Sequence, residues 1–200
     1  MSRCIQRLSL LILATCLATE AYAAQHGIHM YRAGSLTIEN CVITNFAGSG
    51  MFIAGPASVR IANTVVHGNS RLSMLNYGIV LGAATATLDN VRMSDNGYKG
   101  LFVSGGIASV VNSESFGHMV GLAIAENGRL SVTGTLVSNN TVGIWVENAG
   151  GHAAVSRSAI ISNGVGLRND DGGTLETYGD NILRYNTTPI EGTITPVSGQ

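Results

Sequence analysis

The sequence predicts an all-β chain, a single-stranded right-handed parallel β-helix of about seven rungs of 22–23 residues. Three observations predict it. Glycine supplies 26 of 200 residues, 13% where about 7% is usual. Seven of these, Gly27, Gly50, Gly78, Gly100, Gly121, Gly143 and Gly166, recur at spacings of 23, 28, 22, 21, 22 and 23. After each, the first and third positions are apolar in six of seven repeats, as in Met51-Phe52-Ile53 and Ile144-Trp145-Val146. Such period-two alternation is a strand with one buried face.

The composition agrees with a packed chain. Hydrophobic residues make up 45% and charged residues only 12%, against about 25% in ordinary domains. Disorder needs the opposite balance. A net charge of −1 gives no basic footprint for nucleic acid.

The first segment is read as a leader. Arg3 and Arg7 precede an apolar run, Leu8 to Ala18, and Ala21-Tyr22-Ala23 has the small-x-small form of a cleavage site. The run is too short to span a bilayer, and no later stretch is long enough. These features predict a signal peptide over 1–23, the β-helix over 24–188 and a C-terminal tail over 189–200, with export to the periplasm or beyond the cell. Of three cysteines only Cys41 follows the leader, so an internal disulfide is not expected and stability must come from packing. No Cys/His spacing suggests a metal site.

Each repeat continues beyond its first strand. A second apolar pair follows a turn: Leu36 and Ile38, Val59 and Ile61, Ala86 and Leu88, Ala108 and Val110, Leu130 and Val132. A third inward position comes next, at Ile43, Val66, Met93, Ser115, Val137 and Ile160. Turn residues close the rung: Asn69, Asn96, His118, Asn140 and Asn163. Asparagine tolerates left-handed backbone, and stacked amides can bond along a ladder. Three short strands bury too little alone; stacked copies bury a continuous core. Parallel pairing with the usual crossover makes the coil right-handed.

The repeated pattern resembles the right-handed parallel β-helix repeat proteins of the pectate-lyase-like superfamily, and most of all exported bacterial members of no assigned activity. Two stretches carry the nearer likeness: Gly34-Ser-Leu-Thr-Ile-Glu-Asn-Cys-Val-Ile43, and Tyr178-Gly-Asp-Asn-Ile-Leu-Arg-Tyr-Asn-Thr-Thr188 with Gly192-Thr-Ile-Thr-Pro196. The resemblance implies action on acidic polysaccharides from an outer groove, by lyase, hydrolase or epimerase chemistry. The motifs for that chemistry are not matched. Asp170-Asp171 alone fits a polygalacturonase-like pattern, and Gly117-His118 and Gly151-His152 are not Gly-His-Gly. Lys99, the one lysine, is expected in the turn Asn96-Gly-Tyr-Lys99 without an arginine partner. Tyr178-Gly-Asp180 begins like a uronate-epimerase motif, but what should follow is missing. Fold likeness alone warrants no function.

Function is therefore read from outward positions. One row is His29, Phe52, Val80, Phe102, Ala123, Trp145 and Arg168. Phe52, Phe102 and Trp145 fall roughly 9–10 Å apart if rungs stack at the usual strand spacing. With Arg168 they are the candidate ligand-binding residues, placed to stack on alternate rings of a glycan. A subunit contact, or a cover formed by Ser70 to Asn76, explains an apolar row equally well. The neighbouring row ends in Glu147 and Asp170. In a lyase these two carboxylates would hold Ca²⁺ while Arg168 removes a proton. The plainer alternative is a solvated ion pair beside a terminal acidic turn at Asn169 to Gly173. Cys41 is expected inside, and His67, His118 and His152 at turns.

The favoured expectation is an exported non-catalytic β-helix with a binding or assembly surface for polysaccharide or another subunit. It needs no cofactor. The alternative is a small polysaccharide lyase or epimerase built on Glu147, Arg168 and Asp170, the one reading that calls for Ca²⁺.

Overall fold

The computed structural model describes residues 25–31, 34–69, 76–170 and 172–198, together with the strand at 11–12. It is an all-β parallel solenoid of about seven turns. One wall is an eight-stranded sheet, which starts at His26–Met30, passes through Lys99–Ser104, Val120–Ala125 and Val142–Val146, and finishes at Thr188–Gly192. The other two walls belong to one fourteen-stranded sheet. In it Ser58–His67 and Thr85–Ser94 run unbroken through both walls, whereas later rungs divide into pairs such as Arg129–Thr133 and Leu136–Ser138. Within the predicted signal peptide, Leu11–Ile12 pair with Thr37 and Ile38; the rest of 1–23 lies outside the described residues. Residues 189–198, expected as a tail, instead extend both sheets: Ile190 pairs with Leu167, and Thr195 with Glu176.

The core follows the alternation. Met51, Ile79, Leu101, Leu122, Ile144 and Leu167, each the first residue after a column glycine, are fully buried in one stack. The second-wall pairs Val59 and Ile61, Ala86 and Leu88, and Leu130 and Val132 face them from across the coil. Each fully buried aliphatic side chain gains about 1.5–3 kcal/mol from leaving water.

The glycine column has a steric cause. A Cβ on Gly78 would lie 2.5 Å from the carbonyl oxygen of Gly100; on Gly100, 2.6 Å from that of Gly121; on Gly121, 2.6 Å from that of Gly143. The same contact recurs from Gly143 to Gly166 at 2.5 Å and from Gly166 to Pro189 at 2.6 Å. Each column position therefore lies against the backbone of the next rung. A side chain fits only by parting the rungs.

Left-handed residues turn the corners, and two of their columns run through most of the rungs. Asn40, Asn63, Asn90, Asn112, Gly134 and Arg157 form one, and Asn45, Gly68, Asp95, Gly117, Asn139 and Ser162 the other. Asn, Asp and Gly dominate because they bear this conformation at least cost.

Inside the last corner runs the asparagine ladder. Asn69 N–H donates to Asn96 Oδ1 (3.2 Å), Asn140 N–H to Asn163 Oδ1 (3.0 Å), and Asn163 N–H to Asn186 Oδ1 (2.9 Å). The amide groups donate in turn to core carbonyls, Asn96 Nδ2 to Val66 O (2.8 Å) and Asn140 Nδ2 to Ser115 O (3.2 Å). His118 occupies one rung with the same pattern. Its Nδ1 accepts from Asn96 N–H at 3.1 Å and its Nε2 lies 3.2 Å from Met93 O, which fixes the proton on Nε2. The larger ring is matched by a smaller neighbour: Ser115 stands where the rungs on either side have Met93 and Val137, and its Oγ donates to Gly121 O (2.9 Å). His118 thus belongs to an ordered ladder, although the sequence showed no partner for it.

Burial pulls the His118 imidazole from 6.5 down to about 4, against smaller opposing contributions from Met93 O and Asp95. The unfolded chain therefore binds the proton first. Stability is complete above pH 6.5 and falls as pH drops towards 4, by about 3 kcal/mol from this group. Urea unfolding across that interval should show the loss, and His118→Asn should flatten it.

A second buried ladder uses hydroxyls. Ser113 Oγ accepts from Val91 N–H (3.0 Å) and donates to Val111 O (2.8 Å). Thr135 and Ser158 repeat the arrangement one and two rungs on. Cys41 begins this column and is buried, its N–H donating to Thr64 Oγ1 (3.4 Å).

Candidate functional site

The outer face of the eight-stranded sheet carries the predicted row in register. Phe52 pairs with Val80, Val80 with Phe102, Phe102 with Ala123, Ala123 with Trp145, and Trp145 with Arg168. Phe52, Phe102 and Trp145 are half-buried, whereas Val80 and Ala123 between them are buried. Val120, Ala123 and Val142 form a small apolar cluster outside the main core, with Phe102, Trp145 and Val165 packed on it. Large rings on alternate rungs cover small residues on the others. The segment 70–75, expected as a cover, lies outside the described residues; Asn76 is buried, its Nδ2 donating to Ala47 O (2.8 Å).

Each ring has its own neighbours. The rings of His26 and Phe52 stack at 5.0 Å, with His29 edge-on at 5.3 Å. Tyr77 stacks on Phe102 at 5.7 Å and meets Tyr98 edge-on at 5.8 Å. Arg168 lies over Trp145 at 4.7 Å.

Lys99 corrects the sequence reading. It does not sit in a turn but opens the strand Lys99–Ser104, only 3% exposed. Its ammonium lies 3.9 Å from the Phe102 ring centre and 4.9 Å from that of Tyr98, and 2.5 Å from Glu147 Oε1. Burial lowers the Lys99 pKa, and the bond and charge of Glu147 oppose that shift. Desolvation raises both Tyr77 and Tyr98, helped by the Glu147 charge. Both phenols are therefore neutral at ordinary pH.

Asp170 faces different partners. Its Oδ2 accepts from Trp145 Nε1 (3.1 Å) and Arg168 Nε (2.9 Å), while Arg168 Nη2 lies 3.8 Å from Glu191 Oε1. The structure thus brings Trp145, Arg168 and Asp170 together and adds Glu191, which the sequence did not single out. Asp170 N–H donates to Val146 O, so Glu147 and Asp170 do lie on adjacent rungs. Their carboxylates nevertheless turn to separate cations, Lys99 and Arg168. Such a pair does not fit a shared Ca²⁺, which takes six to eight oxygens from several ligands. Among the described residues no group of three or more His, Cys, Asp or Glu is placed to hold a metal.

The comparisons with known proteins agree with this architecture. The family model described as right handed beta helix region matches residues 19–188. The chain belongs to the right-handed β-helix family. No curated protein and no solved structure matches it. This β-helix has, among its described residues, no helix long and apolar enough to cross a membrane. Its fold is consistent with a protein of the pectate-lyase-like superfamily.

Proposed function

We propose that this protein is an exported, non-catalytic β-helix that presents the outer face of its eight-stranded sheet to polysaccharide. The observation that carries the reading is the alternation Phe52, Val80, Phe102, Ala123, Trp145, held in strand register with the larger side chains half-exposed. Two strand spacings separate successive rings, roughly 9–10 Å. That interval suits alternate rings of an extended glycan. Arg168, Asp170 and Glu191 border the Trp145 end with groups that bond hydroxyls and carboxylates. The Arg3, Arg7, Leu8 to Ala18 and Ala21-Tyr22-Ala23 pattern supports export.

Gels containing pectin, alginate or a glycosaminoglycan, with and without Ca²⁺, test this reading. The protein should be retarded by at least one polymer, and Trp145→Ala should lose the retardation. Polymer incubated with the protein should gain no ultraviolet absorbance from unsaturated product. Product that disappears in Arg168→Ala would establish the lyase alternative. Free migration in every polymer, with a dimer by light scattering, would make the row a subunit contact.

A further inference from the structure

We infer that the corner between the eight-stranded sheet and the second wall holds a binding pocket for a small hydroxylated carboxylic acid. The cavity measures about 310 Å³, within the lower range of small-molecule sites. Arg129 and His152 line it from paired positions on neighbouring strands, and Thr174 continues the same row. Glu176 reaches in from two residues further along, and Asn127 from the preceding turn. None of these residues belongs to the aromatic row, so this pocket stands apart from the proposed polysaccharide surface.

The chemistry narrows the ligand. Arg129 offers a planar fork that matches a carboxylate. Glu176 provides acceptor oxygens for hydroxyl hydrogens. Arg129 thus matches one carboxylate and Glu176 the hydroxyl donors, while the Glu176 charge disfavours a multiply charged phosphate. His152 Nε2 lies 3.2 Å from Glu176 Oε2, yet it is turned so that no aligned hydrogen bond forms. The Glu176 carboxylate is therefore not committed to an aligned bond from this ring and keeps its acceptor capacity for a ligand hydroxyl. The turn is shaped for this opening. At Gly150 (φ +87°) a Cβ would lie 2.3 Å from Asn127 Oδ1, so a side chain there would displace the amide that borders the pocket.

Isothermal titration calorimetry of the full chain at neutral pH tests the inference, with gluconate as the hydroxy acid. Glucose, acetate and inorganic phosphate supply the hydroxyls, the carboxylate and the higher charge separately. Gluconate should saturate one site, and the other three should bind at least about tenfold more weakly. Arg129→Ala should cost at least about tenfold, and Glu176→Gln should weaken gluconate while leaving acetate unchanged. Thermal melts of both variants verify that they are folded, since each change is on an outward strand position. Absence of gluconate saturation overturns the inference. So does phosphate, acetate or glucose binding as tightly as gluconate, or full affinity in Arg129→Ala.

Discussion

Gly121→Ala is expected to destabilise the protein by about 3 kcal/mol or more, at the upper end for overpacked sites. The new methyl would meet Gly143 O at 2.6 Å, Val137 Cγ1 at 2.8 Å and Asn140 Nδ2 at 2.9 Å. The first is backbone of the next rung and the third belongs to the asparagine ladder, so relief in one direction strains the other. Gly179→Ala is the matched control. A Cβ there meets nothing within 4 Å, and its backbone is not left-handed. Lower unfolded-state entropy should leave that variant unchanged or more stable, by up to about 1 kcal/mol. Urea midpoints of the two variants measure the difference, which should be large despite identical chemistry.

The second large effect is at Lys99. Lys99→Met should cost about 3 kcal/mol, because it leaves the Glu147 side chain mostly enclosed and without its cation. Side-chain exposures of 4% and 16% put this pair well outside the class of solvated surface bridges. The double variant Lys99→Met with Glu147→Leu should recover most of the loss, since apolar replacement of both partners removes two desolvation penalties. Chemical denaturation of the two singles and the double completes the cycle. A double variant as unstable as Lys99→Met would mean that the lysine acts through its aromatic contacts with Phe102 and Tyr98.

Most of the fold was legible because its signal repeats. Leu101, Leu122 and Ile144 stand at the same offset from a glycine on each rung, and a parallel stack turns equal offsets into contacts. The asparagine column was legible for the same reason. Its exception was not: His118 reproduces the hydrogen bonds of asparagine, but only the two distances to Asn96 N and Met93 O reveal the equivalence. The hydroxyl column was hidden because Cys41 begins it and Val91 interrupts Thr64, Ser113, Thr135 and Ser158. Glycine abundance was visible in the sequence, but its cause required knowing how closely the next carbonyl approaches.

The candidate site was legible as a row and less so as chemistry. Register alone placed Phe52, Phe102 and Trp145 on one line. The pairing of Lys99 with Glu147 crosses 48 residues and two rungs, and nothing local announces it. Lys99 follows Asn96-Gly97, a sequence that reads as a turn, yet strand pairing with Tyr77 and Val120 begins at the lysine itself. The Arg129, His152 and Glu176 pocket was missed for a related reason. Its members lie on three successive rungs in two adjoining rows, so no spacing within one repeat collects them.

Trp145 is the only tryptophan in the chain, so its fluorescence reports on the proposed surface without interference. Titration with the polymer that retards the protein should give a saturable change in intensity or emission maximum, and Phe102→Ala should weaken the midpoint severalfold. An unchanged Trp145 signal, while the polymer still retards the protein, would place binding elsewhere and contradict the account.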